Sequence, residues 1–267
     1  MPVRLNFAAQ GTGKPGEVKK NHKLSKKYPR VEWDVYVHPV CAVVGGGAST
    51  KANLDKLRNW PGDVFAINDT AKYLSDNKVP CYLYAIDTTK VKYRIGRYVK
   101  GAIFASRVNQ IQFKHVGKKP IRVFDLSEEN KKDGIEGGPT AVCRTPHLLL
   151  KMGYKGVKYF GIDASLNESE THVSGYSKAA YDNMIIINAG GENYFSNAAF
   201  YLQCTYMINV FTHHKKFFFN GSDGVFRAML ENPDTWSVVG VADSLRDKFD
   251  ENGKNAWGVR LKEGFRK

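Results

Sequence analysis

Long apolar runs are missing from the sequence. No stretch approaches the roughly 20 consecutive apolar residues that a helix needs to span a bilayer, and the first residues lack the apolar core of a secretory signal. Cysteine is scarce as well. Cys41, Cys81, Cys143 and Cys204 are widely spaced, and each lies in a segment typical of a protein core, which does not fit a disulfide framework or a zinc site. We therefore expect a soluble protein of the reducing cytoplasm, with four buried free thiols.

Acidic residues are missing from one part of the chain. Between residues 90 and 120 there are nine Lys and Arg residues and no Asp or Glu, and the first thirty residues contain eight basic residues against the single acid Glu17. The formal net charge of the chain is +14. Such localised positive charge predicts a polyanionic partner: a nucleic acid, an anionic glycan or the phosphates of a nucleotide.

Each basic segment has two interpretations. Residues 1–35 are predicted to be a basic, flexible arm, which either binds the polyanion or is simply solvated. In the second segment, the candidate acceptor-binding residues are Arg94, Arg97, Lys100 and Arg107. Aromatic residues between them are placed to stack on bases or sugar rings. Alternatively, these aromatic residues form the core face of a strand; they are Tyr93, Tyr98, Phe104 and Phe113.

Six short apolar segments recur after residue 39, separated by helical or turn segments. Their sequences are VCAVV, DVFAIN, CYLYAID, GAIFAS, IRVFDL and GVKYFGID. Because the strands are continuously apolar, both of their faces should be buried, as in a mostly parallel sheet with helices on both sides. We predict an α/β domain over residues 36–235, followed by a charged C-terminal extension, 236–267. The clearest long helix is predicted over Phe195–His213.

Polar residues follow the ends of these strands. The turn Gly45–Thr50 (GGGAST) follows the first strand, Asn68 the second, Asp87 the third and Asp163 the last. Ligands of such sheets bind beyond the carboxyl ends of the strands. The three glycines would allow the backbone to approach a phosphate, and a helix predicted over Thr50–Asn59 would point its amides at it. A glycine-rich turn without a ligand is the alternative.

Further sequence motifs follow along the chain. After GGGAST come AIND, YAID, GGPTAVCRTPHLLLKMGYKGVKYFGIDAS, THVSG, GGENYFSNAAF and NGSDG. Together they resemble the Rossmann-like domain of the motility accessory factors and the archaeal 6-hydroxymethylpterin diphosphokinases. They are also similar to the bacterial sialyltransferases that use CMP-sialic acid. The resemblance covers about Val40 to Leu230 and is most specific over Gly137–Ser165. It departs from the usual G-x-G-P-S-L at Ala48 and Thr50.

This resemblance implies roles for individual residues. His172, in THVSG, corresponds to a histidine that the sialyltransferases use as general base, and a neutral imidazole suits that role because it can take a proton from an acceptor hydroxyl near pH 7. A loop histidine with a local hydrogen bond is the alternative. Asp163 is the second predicted catalytic residue. The predicted nucleotide-binding residues are Gly45, Gly46, Gly47, Ser49, Asn68, Asp87, Gly137, Gly138 and Thr140.

Three functions are compatible with these features. The leading prediction is a glycosyltransferase-like enzyme that transfers a sugar from a nucleotide-sugar donor to a hydroxyl of a polyanionic acceptor, such as DNA, or of a protein. The second is an ATP-dependent diphosphokinase acting on a small pterin-like alcohol, in which Asp87 and Asp163 would hold Mg²⁺. The third is a nucleic-acid-binding protein without enzymatic activity. Mg²⁺ is expected only for the second.

Overall fold

The computed structural model describes residues 13–34, 39–90, 93–130, 132–165, 173 and 184–242. Within them, seven strands form one sheet in which every pairing is parallel, in the order β5-β4-β3-β2-β1-β6-β9. These strands are Val40–Val44 (β1), Val64–Ile67 (β2), Cys81–Ala85 (β3), Val99–Ala105 (β4), Ile121–Phe124 (β5), Gly156–Phe160 (β6) and Phe218–Asn220 (β9). The predicted α/β, Rossmann-like fold is confirmed.

Helices flank this sheet. They are Pro15–Ser25 (α1), Ser49–Ala52 (α2), Leu54–Arg58 (α3), Thr70–Asp76 (α4), Gln110–Val116 (α5), Ala141–Lys151 (α6), Ala198–His213 (α7) and Gly224–Glu231 (α8). The helix predicted over Thr50–Asn59 is instead two short helices, because the backbone at Asn53 (φ −102°, ψ 5°) leaves the helical region. None of the helices in the described part of the chain combines the length and apolar character needed to cross a membrane.

The strand order creates a topological switch point at β1. The chain runs outwards from β1 through β2, β3 and β4 to β5, and then returns to place β6 on the other side of β1. Val44 at the end of β1 is level with Ala66 of β2 and Phe160 of β6, so the carboxyl ends of these three strands lie side by side. In open α/β sheets this is where ligands bind.

Burial explains why the strand prediction succeeded. Every residue of β2 is buried, and four of the five residues in β1 are buried as well. The side chains therefore pack on both sides of the sheet, and the sequence needs continuous rather than alternating apolar residues. The four cysteines are free and buried, as predicted.

A second sheet extends past the predicted end of the domain. Its strands are Met184–Ala189 (β7), Glu192–Asn197 (β8) and Ser237–Ala242 (β10), and both pairings are antiparallel. Because β10 pairs with β7, the boundary predicted at residue 235 falls just outside a strand that belongs to the fold. Likewise, the long helix begins at Ala198 rather than Phe195, because Phe195–Asn197 pairs with β7 and Asn197 caps the helix through the amide of Phe200 (2.9 Å).

Residues 13–34 pack against the sheet, which corrects the prediction of a flexible arm for this part of the chain. The α1 helix buries Asn21 and Ser25. Beyond it, the amide of Val31 donates to the carbonyl of Val123 (2.9 Å), beside the edge strand β5, and the Val31 side chain is only 4% exposed. The ring of Tyr28 lies 4.5 Å from that of Phe113. Polar and charged residues dominate this segment, so its sequence resembled a solvated arm.

Introducing a charged side chain at Val31 tests whether residues 13–34 pack against the sheet or form a free arm. We expect Val31→Asp to lower the free energy of unfolding by about 3 kcal/mol or more, since the new carboxylate would have no partner in the core. Lys26→Asp, at an exposed position on the same segment, is the matched control and should change stability little. Urea unfolding measures both, and equal effects of the two substitutions would show that Val31 is not buried.

Candidate functional site

The loop after β1 rests directly on the loop after β6. The amide of Gly45 donates to the carbonyl of Phe160, and the amide of Gly47 donates to the carbonyl of Gly161, each at 2.8 Å. The hydroxyl of Thr50 donates back to the carbonyl of Gly45, also at 2.8 Å. The base of the switch point is therefore closed by protein contacts, and a ligand would bind above it.

Asp163 links three loops at this edge. Its carboxylate accepts hydrogen bonds from the amide and the hydroxyl of Ser49 (2.8 and 2.5 Å), after β1, and from the amide of Asp223 (3.0 Å), after β9. The residue is only 4% exposed. Both carboxylate oxygens are thus engaged by protein donors, and the contacts give Asp163 a positioning role, while its catalytic role stays a prediction.

This packing also accounts for two of the three glycines in the first turn. A Cβ on Gly47 would lie 2.5 Å from Asp163 Oδ2, and a Cβ on Gly45 would lie 2.4 Å from the carbonyl oxygen of Gly161. Both distances are too short for any side chain. Close approach is required here by the β6 loop, and the predicted approach to a phosphate stays a prediction. The carbonyl of Gly46, in contrast, accepts a hydrogen bond from the amide of Val173 (2.9 Å).

Asn68 and Asp87 meet at the ends of β2 and β3. The amide of the Asn68 side chain donates to Asp87 Oδ2 (3.1 Å), and the Tyr93 hydroxyl donates to the same oxygen. Burial and the Asp87 charge raise the pKa of Tyr93, so the phenol stays protonated and remains a donor. The sequence did not reveal Tyr93 as a partner of Asp87, because an aromatic residue among basic ones suggested stacking on a ligand.

Asn68 carries two further unusual features. Its backbone is left-handed (φ +52°), a conformation that non-glycine residues adopt rarely and that is concentrated at functional sites. Its side-chain oxygen, Oδ1, is buried and accepts no hydrogen bond from the residues that the structure describes. A buried acceptor without a donor costs about 1–3 kcal/mol. Asn68 therefore presents an unsatisfied acceptor at the switch-point edge.

The second glycine turn packs between helices. A Cβ on Gly138 would lie 2.9 Å from the ring of Tyr206 in α7, and the Thr140 hydroxyl donates to Gln203 of the same helix (2.9 Å). Thr140 and Gly137 precede α6, which runs from the β5 side of the sheet to the start of β6. The amino end of α6 consequently lies at the same edge as Asn68 and Asp87, although α7 explains much of the turn's geometry.

The four predicted acceptor-binding residues do not form one patch. Arg94 and Arg107 lie near the carboxyl edge, where the Arg94 amide donates to Asp69 (3.3 Å) and the Arg107 guanidinium donates to Thr88 (3.2 Å). Arg97 and Lys100 lie at the opposite edge, beside the start of β4.

The aromatic residues of this segment follow the core interpretation. Tyr93, Phe104 and Phe113 are at most 5% exposed, whereas Tyr98 is 36% exposed. Three of the four rings therefore cannot stack on a base or a sugar, and the stacking interpretation fails for them.

The predicted base, His172, lies outside the described residues. The next residue in the sequence, Val173, is the one that donates to Gly46. Comparisons with protein-family models, curated proteins and solved structures found no match.

Removing the Asp163 carboxylate should destabilise the protein, because the loops after β1 and β9 lose their shared acceptor. We expect Asp163→Ala to lower the free energy of unfolding by about 3 kcal/mol, because the amides of Ser49 and Asp223 lose a charged acceptor in a buried position. Asp223→Ala is the control, since its own side chain is mostly exposed and makes only a 4.0 Å ion pair with Arg227. Chemical denaturation measures both; a loss below 1 kcal/mol for Asp163→Ala would contradict the linking role.

Proposed function

We propose that this protein is a glycosyltransferase-like enzyme that binds a nucleotide sugar at the carboxyl edge of the parallel sheet. The observation that carries the proposal is the buried Asn68 Oδ1 next to Asp87, which accepts no hydrogen bond from the described residues. A hydroxyl or amino group of a nucleoside would satisfy this oxygen and recover the free energy that its burial costs. A ribose, with two neighbouring hydroxyl donors, suits a pair of adjacent side-chain acceptors.

The phosphates of the donor would lie towards the first turn. The loop Gly45–Ser49 borders Asn68 across β1 and β2, whose ends are level. The amides of Gly45, Gly47 and Ser49 already donate within the protein, so the amides of Gly46 and Ala48 would be the ones that face the phosphates of a nucleotide sugar.

The proposed reaction is an attack of an acceptor hydroxyl on the anomeric carbon. His172 takes the hydroxyl proton, the hydroxyl oxygen bonds to the sugar, and the bond between the sugar and the nucleotide phosphate breaks, so the nucleotide leaves with its electron pair. The hydrogen bond from Val173 to Gly46 supports this assignment, because it joins the residue after His172 to the first turn.

The alternatives receive less support. A diphosphokinase would use Asp87 and Asp163 together to hold Mg²⁺, but Asp163 is engaged by Ser49 and Asp223. For the acceptor, a polyanion is favoured by the exposed lysines of α1, at positions 19, 20 and 23, which lie on the segment next to Arg107. A polyanionic acceptor therefore remains part of the proposal.

Replacing Asn68 by glycine tests the donor site. Asn68→Gly keeps the left-handed backbone accessible but removes the side-chain oxygen, so we expect the fold to persist and nucleotide-sugar affinity to fall about tenfold or more. Calorimetry with the nucleotide sugar that gives the largest thermal shift, chosen from CMP-, UDP- and GDP-sugars alongside ATP and GTP, measures this change.

The matched control is Lys78→Gly. Lys78 also has a left-handed backbone (φ +61°) but is exposed at the end of α4. The Lys78→Gly variant should gain the same backbone freedom, and its nucleotide-sugar affinity should equal that of the unmodified protein. Equal affinity for Asn68→Gly and the unmodified protein would remove Asn68 from the donor site, and stabilisation by ATP alone would favour the diphosphokinase.

His172→Ala tests the chemical step. With water as the acceptor, release of the nucleotide from the sugar donor should slow by about 10² or more while donor affinity stays the same. His213→Ala, at the exposed end of α7, serves as control. Near-normal turnover of His172→Ala would leave the proposal without its general base.

A further inference from the structure

A separate cluster of ligand-type side chains lies where α1 crosses the ends of β4 and β5. His22 of α1, Asp125 after β5 and Glu129 in the following turn each offer a ligand atom, and the three atoms lie within 4.8 Å of one another. His22 Nδ1 lies 3.6 Å from Asp125 Oδ1 and 3.1 Å from the Ser106 hydroxyl oxygen. Residues distant in sequence thus meet at one point.

Each carboxylate in this cluster is anchored by one oxygen. Glu129 Oε2 accepts hydrogen bonds from the Ser106 hydroxyl (2.8 Å) and the Leu126 amide (3.2 Å), and Asp125 Oδ2 pairs with Arg30. These contacts fix the orientation of the two carboxylates. They do not involve the second oxygens, Asp125 Oδ1 and Glu129 Oε1.

The second oxygens are buried, with His22 Nδ1 3.6 Å from Asp125 Oδ1 and Arg107 Nε 3.5 Å from Glu129 Oε1. Asp125 Oδ1 and Glu129 Oε1 accept no hydrogen bond from any residue in the described part of the chain. The Glu129 side chain is only 10% exposed and that of Asp125 13%. Two buried carboxylate oxygens facing an imidazole nitrogen make a set of donors that suits a cation.

We propose that His22, Asp125 and Glu129 bind a divalent metal ion of the zinc type. A nitrogen and two carboxylate oxygens form a mixed set that favours Zn²⁺ and its first-row neighbours over Mg²⁺ or Ca²⁺. With metal–ligand distances near 2.0–2.2 Å, the three atoms need to close in by only about an ångström.

The surroundings of the cluster allow a fourth ligand. A pocket of about 490 Å³ borders His22 and Glu129 and is also lined by Lys19 and Arg107. Water or a small anion can reach the ion through it, which matches zinc sites that combine three protein ligands with one open position.

The Ser106 hydroxyl competes with the ion for His22 Nδ1, and one of two neighbouring guanidinium groups competes for Glu129 Oε1. Arg30 keeps its contact with the other oxygen of Asp125, whereas Arg107 Nε lies 3.5 Å from Glu129 Oε1 and also bonds to Thr88. Metal binding therefore requires Arg107 to move towards Thr88. Since α1 supplies His22, the ion would also fasten this helix to the sheet.

Zinc titration of the full chain, freed of metal with a chelator, tests the proposal. We expect one Zn²⁺ per chain with a micromolar or lower Kd by calorimetry. Glu129→Gln keeps an oxygen for Ser106 and Leu126 but replaces Oε1 with an amide nitrogen, and it should weaken binding on the order of 100-fold. His22→Asn should do the same, while His213→Asn should leave the Kd unchanged.

X-ray absorption of the zinc-loaded, unmodified protein gives a second measurement that does not depend on how the variants fold. We expect a first shell of nitrogen and oxygen with a single imidazole. Sulfur in the shell, several imidazoles, no binding below millimolar zinc, or binding that survives both substitutions would each overturn the proposal.

Discussion

The hydrogen bonds to the buried Asp163 carboxylate hold together the edge of the sheet at which both proposed sites lie. One side chain at the end of β6 fixes the loops after β1 and β9, through Ser49 and Asp223. Because these loops lie on either side of the switch point, their spacing sets the floor of the proposed crevice. Gly45 and Gly47 are required by the same packing, so these two positions could not carry side chains even if no ligand bound there.

The two proposed sites lie along one edge and share a boundary. Asp87 belongs to the proposed nucleotide site, and the next residue, Thr88, accepts a hydrogen bond from Arg107. Arg107 in turn faces Glu129 of the metal cluster at 3.5 Å. A metal ion that displaces Arg107 from Glu129 would strengthen its contact with Thr88, next to the nucleotide site. The docking of α1 and the shape of the crevice are thus connected through one guanidinium group.

The sheet could be predicted from sequence because burial on both faces requires unbroken apolar strands, and the residues at the strand ends followed from parallel topology. What lay beyond prediction were contacts between distant segments. The α1 helix docks through Asn21 and His22 rather than an apolar stripe, so its composition indicated an arm. The engagement of Asp163 depends on the β9 loop, and the left-handed backbone of Asn68 depends on tertiary packing; neither leaves a periodic signal in the sequence.

Hydrogen–deuterium exchange with a saturating nucleotide sugar is the measurement that tests the central claim, that the ligand binds at the carboxyl edge beside Asn68. The account predicts slower amide exchange in Gly45–Ser49 and Asn68–Thr70, with no change at Val99–Gly101 on the opposite edge. Slower exchange at the opposite edge, or no change in exchange in any segment at saturation, would contradict this claim.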